Sequence, residues 1–111
     1  MKVIVTGGRD YDERAFVYET LDTIHRNVGI TLLIEGGARG ADRLGRDWAK
    51  SRGVPFLTYE ADWDNQGKAA GMIRNRLMLK ENKEALVVAF PGGSGTIGCI
   101  KEAMKLGMKI T

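Results

Sequence analysis

Glycine is the most distinctive feature of the composition. The chain has 111 residues and 15 are glycine, about twice the usual share of roughly 7%. With two prolines and no Gly-X-Y period, a collagen-like fibre is excluded, and a hydrophobic content of 43% excludes a glycine-rich disordered chain. The net charge of +3 comes from interspersed basic and acidic residues. This permits an anionic ligand without indicating nucleic acid.

The length predicts one domain spanning residues 1–111. A single cysteine, Cys99, excludes an internal disulfide and favours a reducing compartment. The apolar run at the N-terminus is too short for a signal peptide, and no run reaches the length of a membrane span. We therefore expect a cytoplasmic protein that does not contact membranes.

Continuous apolar runs predict the strands. They lie at residues 3–5, 32–34, 55–57 and 86–90, with a fifth, shorter run at 108–111. Runs of this kind are typical of parallel strands that are buried on both faces. Between them, apolar residues at helical spacing predict amphipathic helices over residues 17–28, 41–48, 70–77 and 97–104. The order predicts an α/β fold, a doubly wound, mostly parallel five-stranded sheet with helices on both faces.

The third and fourth of these helices have clear apolar stripes. Ala70, Ile73 and Leu77 share one face of the third helix, and Ile97, Ile100 and Met104 share one face of the fourth. We expect these stripes to pack on the sheet.

Glycines cluster after three of the predicted strands, each time before a helix. The clusters are Gly7 and Gly8; Gly36, Gly37 and Gly40; and Gly92, Gly93 and Gly95. The carboxyl ends of parallel strands share one edge, where open α/β sheets bind ligands. Backbone N–H groups at a helix start attract anions, and glycine lets a phosphate approach them closely. The clusters predict a phosphate site; a tight strand-to-helix turn is the structural alternative.

The cluster that most specifically indicates phosphate binding is Pro91-Gly92-Gly93-Ser94-Gly95-Thr96. Ser94 or Thr96 is expected to cap the following helix and to offer a hydroxyl to phosphate. The chain has no P-loop sequence, and the dinucleotide pattern G-x-G-x-x-G is absent after the first predicted strand, which is followed by Gly7-Gly8-Arg9-Asp10-Tyr11. A P-loop NTPase and an ordinary NAD dehydrogenase are therefore disfavoured.

Basic side chains accompany the turns. Arg9 and Arg39 stand where a guanidinium group could pair with phosphate in a bidentate manner. In the third helix, Arg74, Asn75 and Arg76 lie on neighbouring faces beside the apolar stripe. We expect at least one of these arginines to point toward the strand ends, the alternative being a solvated basic helix face.

Several other residues near the turns allow two interpretations. Asp10 with Glu13 has the spacing of an acidic capping box, which we favour over general-base chemistry. Tyr11 could stack on a base or cover the sheet edge. Asp42 could hold a ribose hydroxyl or complement the dipole at a helix start. Trp63, in the irregular stretch from 60 to 67, could line the cleft.

Four motifs together resemble the SLOG superfamily, and in particular its YspA/YpsA-related branch. They are residues 6–11, 36–42, 71–76 and 90–96, in that order along nearly the whole chain. The resemblance implies a Rossmann-like sheet with a pocket for a nucleotide or a nucleotide-derived ligand. Relatives include Lonely Guy phosphoribohydrolases, DprA-like single-stranded DNA binders and sensor domains for nucleotide signals.

The hydrolase pattern is incomplete in this chain. The Lonely Guy motif P-G-G-x-G-T is followed, after two residues, by a catalytic glutamate, whereas Thr96 is followed here by Ile97-Gly98-Cys99. Without that acid, N-glycosidic cleavage lacks its expected proton donor. We therefore predict a sensing or sequestering module for a nucleoside phosphate, ADP-ribose or NAD-like ligand. The alternatives are a phosphoribohydrolase with an unconventional acid, Glu102 or Asp10, and a single-stranded DNA binder, weakened by few aromatic residues.

The predicted partners are a phosphate-bearing nucleotide ligand and a second copy of the chain. We expect no required cofactor, no metal and no nucleic acid, and we assign no catalytic residue. A homodimer or higher homo-oligomer would use the third or fourth helix. The residues predicted to bind the ligand are Gly7, Gly8, Arg9, Asp10, Tyr11, Gly36, Gly37, Ala38, Arg39, Gly40, Ala41, Asp42, Arg74, Asn75, Arg76, Pro91, Gly92, Gly93, Ser94, Gly95 and Thr96.

Overall fold

The protein is an α/β structure built on one parallel sheet. The computed structural model describes residues 1–111. The elements are β1 (Lys2–Thr6), α1 (Arg14–Val28), β2 (Leu32–Glu35), α2 (Ala41–Arg52), β3 (Phe56–Thr58), α3 (Trp63–Gln66), a 3₁₀ turn (Gly67–Ala69), α4 (Ala70–Glu81), β4 (Leu86–Ala89) and α5 (Ser94–Lys105). The strands lie in the order β3-β2-β1-β4, and every pair is parallel. The predicted α/β class and parallel sheet are confirmed.

Helices cover both faces of the sheet, and β1 shows why. Successive side chains of a strand point to opposite faces. Val3 and Val5 pack with Trp48 of α2 in one core cluster, which also contains residues of α1. Ile4 packs with residues of α4 and α5 in the other, among them the buried Cys99. A strand buried on both faces must be apolar at every position, which accounts for the continuous runs.

The prediction of a fifth strand is wrong. Ile110 makes a single isolated bridge to Val87 on the outer side of β4. The Val87 N–H donates to the Lys109 carbonyl at 2.9 Å, and the Thr111 N–H donates to the Val87 carbonyl at 2.8 Å. The Ala89 N–H also donates to the Thr111 carbonyl at 3.0 Å. A strand needs successive bridge-paired residues, and Ile110 is the one residue of the 108–111 run that is paired in this way. The sheet therefore has four strands.

The apolar stripes predicted for the third and fourth helices of the sequence, which are α4 and α5 in the structure, are also wrong in part. In α4 the buried apolar residues after Ala70 are Met78 and Leu79, and in α5 they are Cys99 and Ala103. The large apolar side chains left at the surface of these helices are Met72, Ile73, Leu77, Ile97 and Met104. Because α4 carries apolar residues on more than one side, periodicity alone does not identify the face that packs on the sheet.

The stretch from 60 to 67, expected to be irregular, contains the short helix α3. The Asp62 carboxylate accepts a hydrogen bond from the Asn65 N–H at 3.3 Å, which caps this helix. The segment lies between the end of β3 and the start of α4, so it sits at the same edge of the sheet as the glycine turns.

Candidate functional site

A two-lobed cleft lies at the carboxyl edge of the sheet. The chain leaves β1 toward β2 on one side, while β4 pairs with β1 on the other, so the sheet has its switch point between β1 and β4. The inner lobe, about 580 Å³, is lined mainly by the turns after β1 and β4 and by α4. The outer lobe, about 380 Å³, is lined by the turn after β2 and by residues 60–63. Arg9, Ala38, Trp63 and Arg74 line both.

The three glycine turns contact one another through Gly8. Its N–H donates to the Pro91 carbonyl at 2.9 Å, and its own carbonyl accepts from the Ala41 N–H at 3.1 Å. A Cβ atom on Gly92 would lie 2.7 Å from the Gly8 nitrogen, and one on Gly40 would overlap the Gly8 carbonyl oxygen. These glycines are needed for the close approach of the turns to each other.

The start of α5 presents free amides to the inner lobe. The first hydrogen bond of the helix runs from the Ile97 N–H to the Gly93 carbonyl at 3.0 Å, so the N–H groups of Ser94, Gly95 and Thr96 have no protein acceptor. Gly93 is the N-cap and no side chain caps the helix, so the prediction that Ser94 or Thr96 does so is wrong. Unpaired N–H groups at a helix N-terminus, with the helix dipole, favour an anion.

Arg74 stands between the two lobes. Its Nη1 donates to the Gly36 carbonyl and its Nε donates to Asn75 Oδ1 at 2.8 Å, while Nη2 has no protein acceptor. The guanidinium group is thus held by the protein with one donor group free. Arg76, by contrast, lies outside the cleft, with its Nε 3.6 Å from Glu102 Oε1.

Two buried carboxylates shape the turn after β2. Asp42 Oδ2 accepts hydrogen bonds from the N–H groups of Gly36 at 3.1 Å and Ala38 at 3.3 Å. Glu35, fully buried at the end of β2, accepts from the Gly37 N–H at 2.7 Å. Burial raises the pKa of Asp42 to about 6; the neighbouring Glu35 charge adds to this, while the two amides and Arg74 oppose it.

Asp42 is therefore a support of the turn as well as a residue of the inner lobe. Glu35 was missed by the sequence reasoning, because one acidic residue after an apolar run gives no sign that it is buried and paired with backbone amides.

Asp10 and Tyr11 lie outside the two lobes. The Tyr11 ring stacks on Phe90 with 5.6 Å between centroids, so it covers the sheet edge. Asp10 Oδ1 lies 3.1 Å from Arg39 Nη2, and both side chains are exposed. The prediction that Asp10 and Glu13 form a capping box is wrong. Helix α1 begins at Arg14, and its N-cap is Glu13, which makes no side-chain hydrogen bond.

The segment before α4 contributes residues that the motifs do not include. Trp63 lines both lobes with 47% of its surface exposed, and the Arg9 guanidinium carbon lies 5.4 Å from its ring centroid. Glu60 lines the outer lobe and Lys68 the inner lobe. The signal that could have identified Glu60 and Lys68, as it did Trp63, is their position after β3, at the carboxyl edge where open α/β sheets bind ligands.

Most of the predicted ligand-binding residues meet in the cleft. Those lining it are Gly7, Gly8, Arg9, Gly36, Gly37, Ala38, Arg39, Asp42, Arg74, Asn75, Gly93, Ser94, Gly95 and Thr96. Those that do not are Asp10, Tyr11, Gly40, Ala41, Arg76, Pro91 and Gly92. Ligand binding by each of them remains a prediction.

The fold and the cleft define a class: parallel α/β proteins whose glycine turns meet at a switch point and present free amides and cationic side chains. Residues 1–65 match the model of the YspA, cpYpsA-related SLOG family, and the chain belongs to this family. The resemblance predicted from the four motifs is thereby confirmed.

One relative covers nearly the full chain. The chain is 35% identical over 117 residues to the Gene 61 protein of Mycobacterium phage D29, spanning 98% of this chain and 93% of that protein. No solved structure matches. Among the helices, none is both long enough and apolar enough to span a membrane.

Proposed function

We propose that the protein binds a nucleotide or nucleotide-derived ligand as a sensing or sequestering module, with a phosphate group in the inner lobe. The observation that carries this proposal is the row of unpaired N–H groups at Ser94, Gly95 and Thr96, which face the same lobe as Arg74. Backbone amides at a helix start and an arginine fork are complementary to phosphate oxygens. Membership of a SLOG family supports a ligand of this kind.

The charges of the inner lobe support an anion as well. Arg9, Lys68 and Arg74 line it, and none of them forms an ion pair with a protein carboxylate. Asp42 is the one carboxylate in the lining, and part of its charge is offset by two amide donors. The excess of cationic groups favours a ligand with at least one phosphate.

A phosphoribohydrolase is the second candidate, and Asp42 is the observation that favours it. Glu102 and Asp10, the acids considered from the sequence, pair with Arg76 and Arg39 and do not line the cleft. Asp42 lines the inner lobe, and its pKa of about 6 lies in the range of a general acid. Its two bonds to the turn are the reason for placing binding first.

The test combines binding with product analysis. Inorganic phosphate, ribose 5-phosphate, nucleoside monophosphates, ADP-ribose and NAD are titrated by calorimetry, and each mixture is then separated by chromatography to detect released base. We expect binding of phosphate esters without release of base. Released base would replace the sensing role with the hydrolase, and absence of binding by every compound would overturn the proposal.

A charge variant localises the site. Lys68→Gln removes an inner-lobe cation that makes no protein hydrogen bond or ion pair, so the fold should be unaffected while phosphate-ester affinity falls. Lys80→Gln removes an exposed lysine of α4 that does not line the cleft and is the matched control. Equal affinities of the two variants would place the phosphate elsewhere.

A further inference from the structure

The outer lobe lies beyond the phosphate-binding groups, and its lining differs from that of the inner lobe. The residues lining both lobes, Arg9, Ala38, Trp63 and Arg74, mark the passage between them. Glu60 and Ala61 line the outer lobe alone. A sugar attached to a phosphate in the inner lobe would stand in this passage, so the group attached to the sugar would enter the outer lobe.

Trp63 offers an aromatic surface at this passage. Its side chain is 47% exposed, whereas Trp48, the other tryptophan, is fully buried and donates its Nε1–H to Asp22 at 2.8 Å. The edge of the Trp63 ring packs on α4, where a Cβ atom on Gly71 would lie 3.3 Å from Cη2. An exposed indole supported in this way offers a stacking surface to a nucleobase on the face that the Arg9 guanidinium does not cover.

Glu60 offers two unpaired acceptors in the same lobe. Its carboxylate lies over Gly37, where a Cβ atom would be 3.1 Å from both Oε1 and Oε2. It accepts no hydrogen bond and forms no ion pair, although three arginines line the lobe. An ionised carboxylate accepts hydrogen bonds and donates none.

The two purines differ in what they offer such a carboxylate. Guanine presents two adjacent donors on its pairing edge, N1–H and N2–H. Adenine presents the N6 amino group beside N1, an acceptor that a carboxylate repels. A carboxylate that approaches the edge of the base therefore favours guanine, since two parallel charge-assisted hydrogen bonds replace one bond and one repulsion.

We propose that the outer lobe is a nucleobase subsite in which the base stacks on Trp63 and guanine donates N1–H and N2–H to Glu60. The ligand is then a guanine nucleotide rather than an adenine nucleotide. This inference rests on the proposed function, because the phosphate in the inner lobe directs the base into the outer lobe.

The test compares ligands that differ only in the base. GMP, IMP, AMP and ribose 5-phosphate are titrated by calorimetry and by tryptophan fluorescence. We expect GMP to bind about tenfold more tightly than AMP, because hydrogen bonds to a charged acceptor are among the stronger ones. IMP, which lacks the N2 amino group, should fall between them. GMP should quench the fluorescence of the wild-type protein and leave that of Trp63→Phe, which retains only buried Trp48, nearly unchanged.

Glu60→Gln tests the carboxylate. We expect it to weaken the binding of GMP about tenfold and to leave the affinity for ribose 5-phosphate unchanged. Glu19→Gln, at an exposed glutamate on α1, should leave both affinities unchanged. AMP binding as tightly as GMP, or Glu60→Gln leaving GMP affinity intact, would overturn guanine recognition. GMP and ribose 5-phosphate binding equally would overturn the base subsite but leave the phosphate site standing. If no compound binds, ribose 5-phosphate included, the proposed function itself would be overturned.

Discussion

The Arg74 guanidinium donates a hydrogen bond to the Gly36 carbonyl, 38 residues earlier in the chain. This contact joins α4 to the turn after β2 and leaves Nη2 available at the passage between the lobes. Because the arginine is already held, little side-chain freedom is lost when an anion binds.

Arg74→Lys should separate charge from geometry. Lysine retains the positive charge but lacks the planar fork, so it cannot bond the turn and an anion in the same arrangement. We expect phosphate-ester affinity to fall by about tenfold or more and the free energy of unfolding by about 1 kcal/mol. Calorimetry and urea denaturation measure the two effects. Arg43→Lys, at an exposed position, is the control, and equal binding by the two variants would show that the fork is not used.

Two adjacent glycines should respond differently to alanine. At Gly92 a Cβ atom would overlap Thr96 Oγ1 and crowd the Gly8 nitrogen, whereas at Gly93 it would meet nothing within 4 Å. We expect Gly92→Ala to lower the free energy of unfolding by about 1–3 kcal/mol and Gly93→Ala to change it by less than about 0.5 kcal/mol. Urea denaturation checks both, and similar losses in the two variants would argue against the packing of the turns.

The stability should depend on pH through Asp42. Its folded pKa, about 6, lies above the usual value of 3.8, so between these values the folded state binds more protons than the unfolded state. The contribution of Asp42 is therefore fully present below pH 3.8 and is lost as the pH rises through 6.

Asp42→Asn removes this titration while keeping an oxygen that can accept from the turn. Each unit of pKa corresponds to about 1.4 kcal/mol, so the wild type should lose up to about 3 kcal/mol relative to the variant between pH 4 and 7. Unfolding curves across that range provide the measurement. Parallel pH profiles would mean that Asp42 titrates normally. The comparison with the variant is needed because other groups, such as Asp22 with a pKa lowered to about 2 by Arg52 and Trp48, act in the opposite direction at low pH.

Self-association should depend on the exposed apolar side chains of α4 and α5. Leu77 is 50% exposed, and Ile97 is exposed on the neighbouring helix. We expect a second copy of the chain to cover these side chains, since exposed large apolar residues on two packed helices favour association. Leu77→Glu should shift the protein toward the monomer in light scattering coupled to size exclusion. Val28→Glu, equally exposed on α1, is the control, and a wild type that is monomeric at all concentrations would contradict the prediction.

Local patterns in the sequence were enough to predict the four strands of the sheet and some of the residues that line the cleft. Continuous apolar runs identified all four strands, because strands such as β1 are covered by helices on both faces. The glycine clusters marked the correct edge because parallel strands end together. The exposed side of α4, by contrast, depends on how the helix is rotated against α5, and several of its sides are apolar.

Residues brought to the cleft from outside the motifs were harder to predict. Glu60 and Lys68 belong to no recognisable pattern, and only the path of the chain from β3 to α4 places them at the lobes. No pattern in the sequence indicated that Gly92 is needed for close packing of two turns, since it contacts Gly8, at the other end of the chain. Such contacts are properties of the folded arrangement rather than of any window of residues.

The bonds of Gly8 have a consequence for how the cleft comes into being. One residue holds the turn after β1 to the start of α2 through its carbonyl and to the turn after β4 through its N–H. Segments from the beginning, middle and end of the chain must therefore all be in place before the lobes exist. Binding and global folding should therefore be lost together. In partial proteolysis, a saturating ligand should slow every cleavage that requires unfolding, and no fragment that lacks β4 should retain affinity.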